Sequence, residues 1–352
     1  MTPASMTDEP DTIPTRDAHR FDEAALERHL RQALGFAGPL SVRQMRGGQS
    51  NPTFLLSADG CDMILRKQPP GQLLPSAHAV DREYRVLTAL AGTDVPVPTT
   101  LHFCADREVI GTPFYVMERL VGRIFWNPAL PELERGEREG IWLGMADALA
   151  RLHKADWQAI GLADFGRPGN YFGRQIARWT RQWQESKTHE NPAVDRLAEW
   201  LPQRVPPGDQ VSICHGDFRI DNLMFHPTEP RVIGILDWEL ATLGHPLADL
   251  AYNCIQYHTP PHVFRGLAGL DLAALGVPSQ DAYVAAYGRF AAEPVVLQPF
   301  HLAFALFRLA VILEGILARA KAGNAASADA FEVGGLGVVI ADIGWDIARA
   351  AD

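Results

Sequence analysis

Three short apolar runs, residues 211–214, 223–225 and 232–236, each end against a polar or acidic group. His215-Gly216-Asp217 follows the first, Asn222 precedes the second, and Asp237 closes the third. Runs this short read as strands rather than helices. The turn His226-Pro227-Thr228-Glu229-Pro230 joins the last two as a hairpin. The chain must therefore hold a small sheet with polar groups at its strand ends. A carboxylate such as Asp237, at the end of an apolar strand, is costly unless it meets a ligand or a partner.

The same stretch carries a set of reagents. Cys214-His215-Gly216-Asp217-Phe218-Arg219-Ile220-Asp221-Asn222 places an amide five residues after an acid, and Ile235-Leu236-Asp237-Trp238-Glu239 adds a second acid. Phosphoryl transfer to a hydroxyl needs a carboxylate that orients the nucleophile and oxygen ligands for magnesium on a nucleotide. The spacing H-x-D-x-x-x-x-N, with an acid further on, matches the protein-kinase catalytic loop. Asp217 is read as the base or orienter, and Asn222 and Asp237 as magnesium ligands. A solvated loop acid and a turn amide are the bland alternatives, and the joint spacing outweighs them. His215 is read as a structural residue of the loop. Asp221 and Glu239 are read as solvated or backbone-bonded acids, and Asp249 as a cap or brace for the loop.

Residues 1–20 are polar and rich in Thr, Asp and Pro, and read as a disordered lead-in without an apolar signal segment. Residues 21–120 read as a β-rich nucleotide-binding lobe. Helices are expected over 21–34 and 80–90, and strands over 42–45, 53–57, 63–67 and 114–118. Residues 121–352 read as a larger, mainly helical lobe for catalysis and substrate binding, with helices over 139–153, 171–186 and 193–201. The apolar stretch 301–320 is interrupted by Arg308, Glu314 and Arg319, which marks a buried helix rather than a membrane span. The expected class is α+β and two-lobed, with a hinge near 118–122 and a ligand cleft between lobes.

Phosphate-handling groups are sought in the small lobe. Gly47, Gly48 and Ser50 lie in a turn whose backbone N–H groups can approach phosphates, although an ordinary hairpin has the same composition. Arg66 and Lys67 end a strand, and alternation lets only one face the ligand; Arg66 is favoured and Lys67 is the alternative. Glu83, on the following helix, is placed to pair with that cation. Glu118 and Leu120, at the end of the strand over 114–118, are the backbone positions expected to meet adenine.

A formal net charge of -10 disfavours nucleic acid as a partner. Cys61, Cys104, Cys214 and Cys254 are scattered without a disulfide pattern, which suits a reducing, cytoplasmic setting.

Together these residues resemble the aminoglycoside phosphotransferase (APH/choline kinase-like) family, over about residues 40–350. The segments HGDFRIDN and ILDWELATLGHPLADLAY carry the resemblance. Within the family, LRKQPPGQLLPSAHAVDREYRVL and GHPLADLAY look closest to the kinase-like domain joined to, or encoded beside, acyl-CoA dehydrogenases. The resemblance implies a two-lobed protein-kinase-like fold and transfer from ATP, with Mg2+, to a small-molecule hydroxyl. It implies Asp217 as base, Asn222 and Asp237 as metal ligands, and a functional link to an acyl-CoA dehydrogenase. The family's usual strand lysine aligns with Arg66.

The acceptor is a separate question. A polycationic aminoglycoside needs an acidic pocket. The C-terminal region offers instead Tyr252, Tyr257, Phe264, Tyr283, Tyr287, Phe300, Phe304 and Phe307, which suit a partly apolar ligand. A hydroxyacyl-CoA or hydroxy acid is the expected acceptor, with Arg123, Arg174, Arg178 and Arg181 as sites for a coenzyme A moiety. An aminoglycoside or other small-metabolite kinase, a pseudokinase and a magnesium-dependent phosphate-ester hydrolase are the alternatives.

Overall fold

The computed structural model describes residues 11–46, 51–69, 78–323 and 329–351. The chain forms two compact units. One comprises the chain up to Ile124 with Gln158–Leu162 and Asn222–Ala241; the other comprises Phe125–Trp157, Ala163–Asp221 and Thr242 onward.

The first unit opens with β1 (Thr12–Ile13), α1 (Glu23–Leu34), β2 (Ser41–Met45), β3 (Thr53–Ala58) and β4 (Cys61–Lys67). It continues with α2 (Val80–Leu90), β5 (Thr100–Cys104), the single turn α3 (Arg107–Ile110) and β6 (Phe114–Glu118). The six strands form one antiparallel sheet in the order β1-β2-β3-β4-β6-β5. Asp22 starts α1 by accepting from the Ala25 N–H, and Gly35 ends it in the left-handed region. Leu26 and Leu30 of α1 share a core with Phe54, Leu56, Met63, Leu65, Phe114 and Val116. Alternation along β4 sends Met63, Leu65 and Lys67 to that face and Arg66 to the other.

Two expectations need correction here. Residues 11–20 are not a free lead-in: Thr12 and Ile13 pair with Met45 and Gln44, and Arg16 N–H donates to Gln44 Oε1. The added strand satisfies an edge that β2 would otherwise expose. The strand β5 was not anticipated, because Thr-Leu-His-Phe-Cys is short and half-exposed and lacks clean alternation.

The second unit begins with α4 (Arg135–Lys154), α5 (Tyr171–Ser186), α6 (Pro192–Trp200) and β7 (Ser212–Cys214). The chain then returns to the first unit for the hairpin β8 (Leu223–Phe225) and β9 (Val232–Ile235). A boundary at residue 120 therefore does not divide the chain as it packs. Arg123 and Phe225 exchange backbone hydrogen bonds, and Ile235 N–H donates to Pro96 O, so the hairpin belongs with the sheet before it. Such non-local pairing leaves no periodicity in the sequence.

The chain re-enters the second unit with β10 (Thr242–Gly244), which pairs with β7, and α7 (Pro246–Cys254). The short α8 (Leu272–Leu275), α9 (Gln280–Ala291), α10 (Pro299–Lys321), α11 (Ala330–Gly335) and α12 (Gly337–Arg349) complete it. By length and composition α10 is apolar enough to cross a membrane, but most of it is buried in the protein, in one core with residues of α5, α6, α7 and α12. Two of its interrupting charges are satisfied inside, Arg308 by Gly216 O and Glu314 by His189 and the Thr188 N–H, while Arg319 is exposed.

Two histidines start helices in this core. His245 Nδ1 accepts from Leu247 N–H at α7, and His301 Nδ1 accepts from Gln298 N–H at α10. Their rings lie 4.9 and 5.5 Å from that of Phe172. Burial lowers both to about 4, aided at His245 by His153 and at His301 by His245. The fold thus holds neutral imidazoles. Above pH 6.5 they carry no penalty. Below it the unfolded chain takes up protons that the folded chain refuses, so stability falls as pH drops toward 4. His301→Gln, which keeps a cap acceptor, is expected to remove roughly 2 kcal/mol of that loss. Urea unfolding at pH 7 and pH 4.5 checks this; an unchanged pH dependence would contradict it.

Candidate active site

In the second unit, β7 runs into the loop His215-Gly216-Asp217-Phe218. The chain turns there through Gly216 at φ +84°, a left-handed conformation that glycine adopts without strain. One face of α7 holds this loop. Asp249, Tyr252 and Asn253 are spaced i, i+3, i+4 and so share a side of the helix. Asp249 accepts from the N–H groups of His215 (2.5 Å) and Gly216 (2.9 Å). Tyr252 Oη donates to Asp217 Oδ1 at 2.7 Å, and Asn253 Nδ2 donates to Phe218 O at 3.1 Å.

Electrostatics keep this arrangement charged where it matters. Burial pushes the Asp249 carboxyl up, but His153, His215 and the Gly216 N–H outweigh it and hold the group below the usual carboxylate range. Asp249 therefore braces the loop, while the cap of α7 is His245. Arg308 of α10 donates to Gly216 O and lies 5.4 Å from the Tyr252 ring centroid. Arg219 bridges Asp217 (3.3 Å) and Asp221 (3.1 Å). Burial raises the pKa of Asp221, and Arg219 opposes that. His215 is fully buried, and its Nδ1 accepts from Asp217 N–H, so it serves the loop's shape.

The first unit builds a separate cluster of opposite charges. In the β8–β9 hairpin Leu223 faces Ile235, and Leu236 N–H donates to Asn222 O. Asn222 is thereby set opposite the residue before Asp237, although the two are far apart in sequence. Asp237 itself sits at φ +64°, uncommon for a residue with a side chain and a mark of functional sites. Arg66 lies 3.0 Å from Asp237 Oδ1 and 3.2 Å from Glu83 Oε2. Glu83 also accepts from Asn51 Nδ2 (2.5 Å) and Tyr115 Oη (3.0 Å). Burial raises the Glu83 pKa against the pull of Arg66. For Arg66, burial disfavours the charge, but Glu83 and Asp237 outweigh it and the pKa rises.

Geometry places Arg66, and not Lys67, on the face that meets Asp237. Lys67 is buried on the opposite face of β4, its Nζ 5.7 Å from the Phe21 ring centroid, where burial lowers its pKa. Asn51, which fixes Glu83, was not singled out from sequence. Its signal was its place beside the glycine turn. Two carboxylates and one guanidinium leave a net negative charge, and the Asn222 amide and Asp237 carboxylate offer hard oxygens. That donor set fits magnesium.

The remaining sequence candidates divide. Glu118 ends β6, and its carboxylate accepts from Thr99 N–H. Leu120 packs over Gly234 of β9, where a Cβ would fall 2.4 Å from Leu120 Cδ1. Gly47, Gly48 and Ser50 lie outside the described residues. The aromatic acceptor pocket needs correction: Tyr252, Tyr283, Tyr287, Phe300, Phe304 and Phe307 are buried core residues, placed by helix packing that their spacing did not disclose. Arg123 is likewise committed to the hairpin turn, donating to the carbonyls of His226 and Glu229. Arg174 donates to Arg167 O, and Arg178 lies against Trp179.

Residues 41–304 match the phosphotransferase enzyme family. This chain belongs to that family. A Ralstonia eutropha protein provisionally named an aminoglycoside phosphotransferase is 49% identical, with a TM-score of 0.87 over 95% of this chain and all of that one. A thermostable mutant of an aminoglycoside phosphotransferase, in complex with AMP-PNP and hygromycin B, shares the fold at 16% identity, with a TM-score of 0.61 over 93% of this chain and 98% of that one. The phosphotransferase is thus α+β and kinase-like, with a small antiparallel sheet and a helical C-terminal part. Acyl-CoA dehydrogenase family member 10 of Mus musculus is 43% identical over 96% of the chain, and family member 11 of Gallus gallus 42% over 98%. The chain spans 32% of the first and 46% of the second.

The two faces of β4 make opposite demands. Arg66→Ala strands the buried Glu83 carboxylate and is expected to cost about 3–5 kcal/mol. Lys67→Met removes only a desolvated ammonium and should be neutral or stabilising. Denaturant unfolding of both variants decides; equal losses would contradict the assignment.

Proposed function

We propose that this phosphotransferase transfers the γ-phosphoryl group of Mg-ATP to the hydroxyl of a small hydroxy acid or hydroxyacyl-CoA. The observation that carries the reading is the fixation of Asp217. Its loop is tied at His215, Gly216 and Phe218, and its carboxylate is held by Tyr252 and Arg219. A carboxylate held this firmly orients an acceptor hydroxyl and takes up its proton as the bond to phosphorus forms. Asn222 and Asp237 would hold magnesium, which when bound neutralises charge on the phosphates. Arg66, aimed by Glu83, would bind the α- and β-phosphates, and the backbone at Glu118 and Leu120 would receive adenine.

The acceptor reading rests on charge and on relatives. Asp217 stands beside Arg219, Arg308 binds the carbonyl of the preceding Gly216, and Arg265 acts on the neighbouring Asp221. Guanidinium groups there oppose a polycationic acceptor and favour one that carries an anion. The curated relatives are named as acyl-CoA dehydrogenase family members, which supports an acyl chain and a functional link to such a dehydrogenase.

Asp217→Asn is expected to lower turnover by at least about a hundredfold while leaving Mg-ATP affinity within a few-fold. ATP consumption with hydroxy acids, hydroxyacyl-CoAs, sugars and aminoglycosides, with mass spectrometry of products, tests acceptor and base together. Phosphorylation of kanamycin-type compounds alone would overturn the acceptor class, and full activity of the variant would overturn the base.

Asp237→Ala is expected to weaken ATP binding in the presence of magnesium and to change metal-free binding little. Calorimetry in both conditions reads this directly; equal losses would remove the metal role.

A further inference from the structure

We infer that Tyr252 is a positioning residue for the reaction, acting through Asp217 by fixing the rotation of its carboxylate. The inference rests on the reading of Asp217 as the base. Tyr252 Oη and Arg219 Nε reach the same oxygen, Oδ1, at 2.7 and 3.3 Å. Arg219 is a half-exposed side chain shared with Asp221, so its grip is adjustable. Tyr252 is buried and held on both sides. Its helix is locked to the loop by Asp249 and Asn253, and its ring lies under the Arg308 guanidinium, which itself binds Gly216 O. Burial raises the pKa of Tyr252, with Asp217 adding to the rise, so the phenol stays protonated and always donates.

A donor to one carboxylate oxygen does two things. It stops free rotation about Cβ–Cγ, which sets the direction from which the carboxylate meets a hydroxyl. A hydrogen bond to a carboxylate also favours its charged form over its protonated one, so removing the donor moves the titration. The charged and titratable groups around Asp217 are Arg219 and Asp221 on its own segment, His215 at the loop's base, Asp249 and Tyr252 on α7, and Arg308 on α10. Of these the Tyr252 hydroxyl touches the carboxylate and can be deleted without altering formal charge or ring packing.

The test uses Tyr252→Phe and a chain with 3-fluorotyrosine at position 252, a stronger donor. The readouts are kcat and KM for both substrates, and the 13C titration of the Asp217 carboxyl, assigned by comparison with Asp217→Asn. Tyr252→Phe should lower kcat about ten- to a hundredfold with both KM values nearly unchanged. It should also raise the Asp217 titration by about one pH unit, and fluorotyrosine should lower it. A purely structural tyrosine would not move the titration in opposite directions. An Asp217 titration unmoved in both variants overturns the inference, as does a moved titration with wild-type kcat. If the Phe variant fails to fold, the fluorotyrosine chain decides alone. Lack of turnover by the wild-type chain with every acceptor class sinks the phosphotransfer reading instead, and the titration then reports the Tyr252 contact independently of it.

Discussion

A buried carboxylate that accepts two consecutive backbone N–H groups is what the second unit is built around. Asp249 has no access to water, yet it is kept ionised by His153, His215 and the Gly216 N–H. Those N–H groups would be orphaned without it, because the turn at Gly216 takes the loop out of the β7–β10 ladder. Once the loop is held, Tyr252 and Asn253 fall into register one turn along the same helix, and the direction of Asp217 follows. α10 closes the arrangement by spending its one mid-helix arginine on Gly216 O and the Tyr252 ring.

The first unit solves a different problem with a similar device. Glu83 is a buried anion satisfied by Asn51, Tyr115 and Arg66, and it fixes where the guanidinium points. Asp237 is then placed beside that guanidinium by a hairpin and a left-handed backbone. Each unit thus carries one buried acid whose work is to aim a second group. Charge is concentrated where a phosphotransferase must control it, and in both places the supporting acid is far better shielded than the group it aims.

Much of this was legible in the sequence because local rules governed it. α2, α5 and β6 lie over the residues where apolar periodicity put them, and the β8–β9 hairpin follows from its Pro-containing turn. Alternation required Arg66 and Lys67 to face apart, and they do. What was not legible depends on contacts between distant segments. Thr12–Ile13 joins the sheet because β2 offers an edge, and the hairpin joins the first unit through contacts with Arg123, Pro96 and Leu120. Tyr252 read as a pocket aromatic because a tyrosine's hydroxyl leaves no trace in hydrophobic spacing. The i, i+3, i+4 set Asp249, Tyr252, Asn253 was the signal available, and it acquires meaning only once the loop it grips is known.

The claim on which the account turns is that Asp249 holds the loop that directs Asp217. Hydrogen exchange by mass spectrometry, on a peptide spanning residues 212–222 in wild type and Asp249→Asn, measures it directly. The account requires exchange at 215–218 to rise by about tenfold or more in the variant, with β2, β3 and β4 protected as before. Unchanged protection of that loop in a folded Asp249→Asn protein would contradict it.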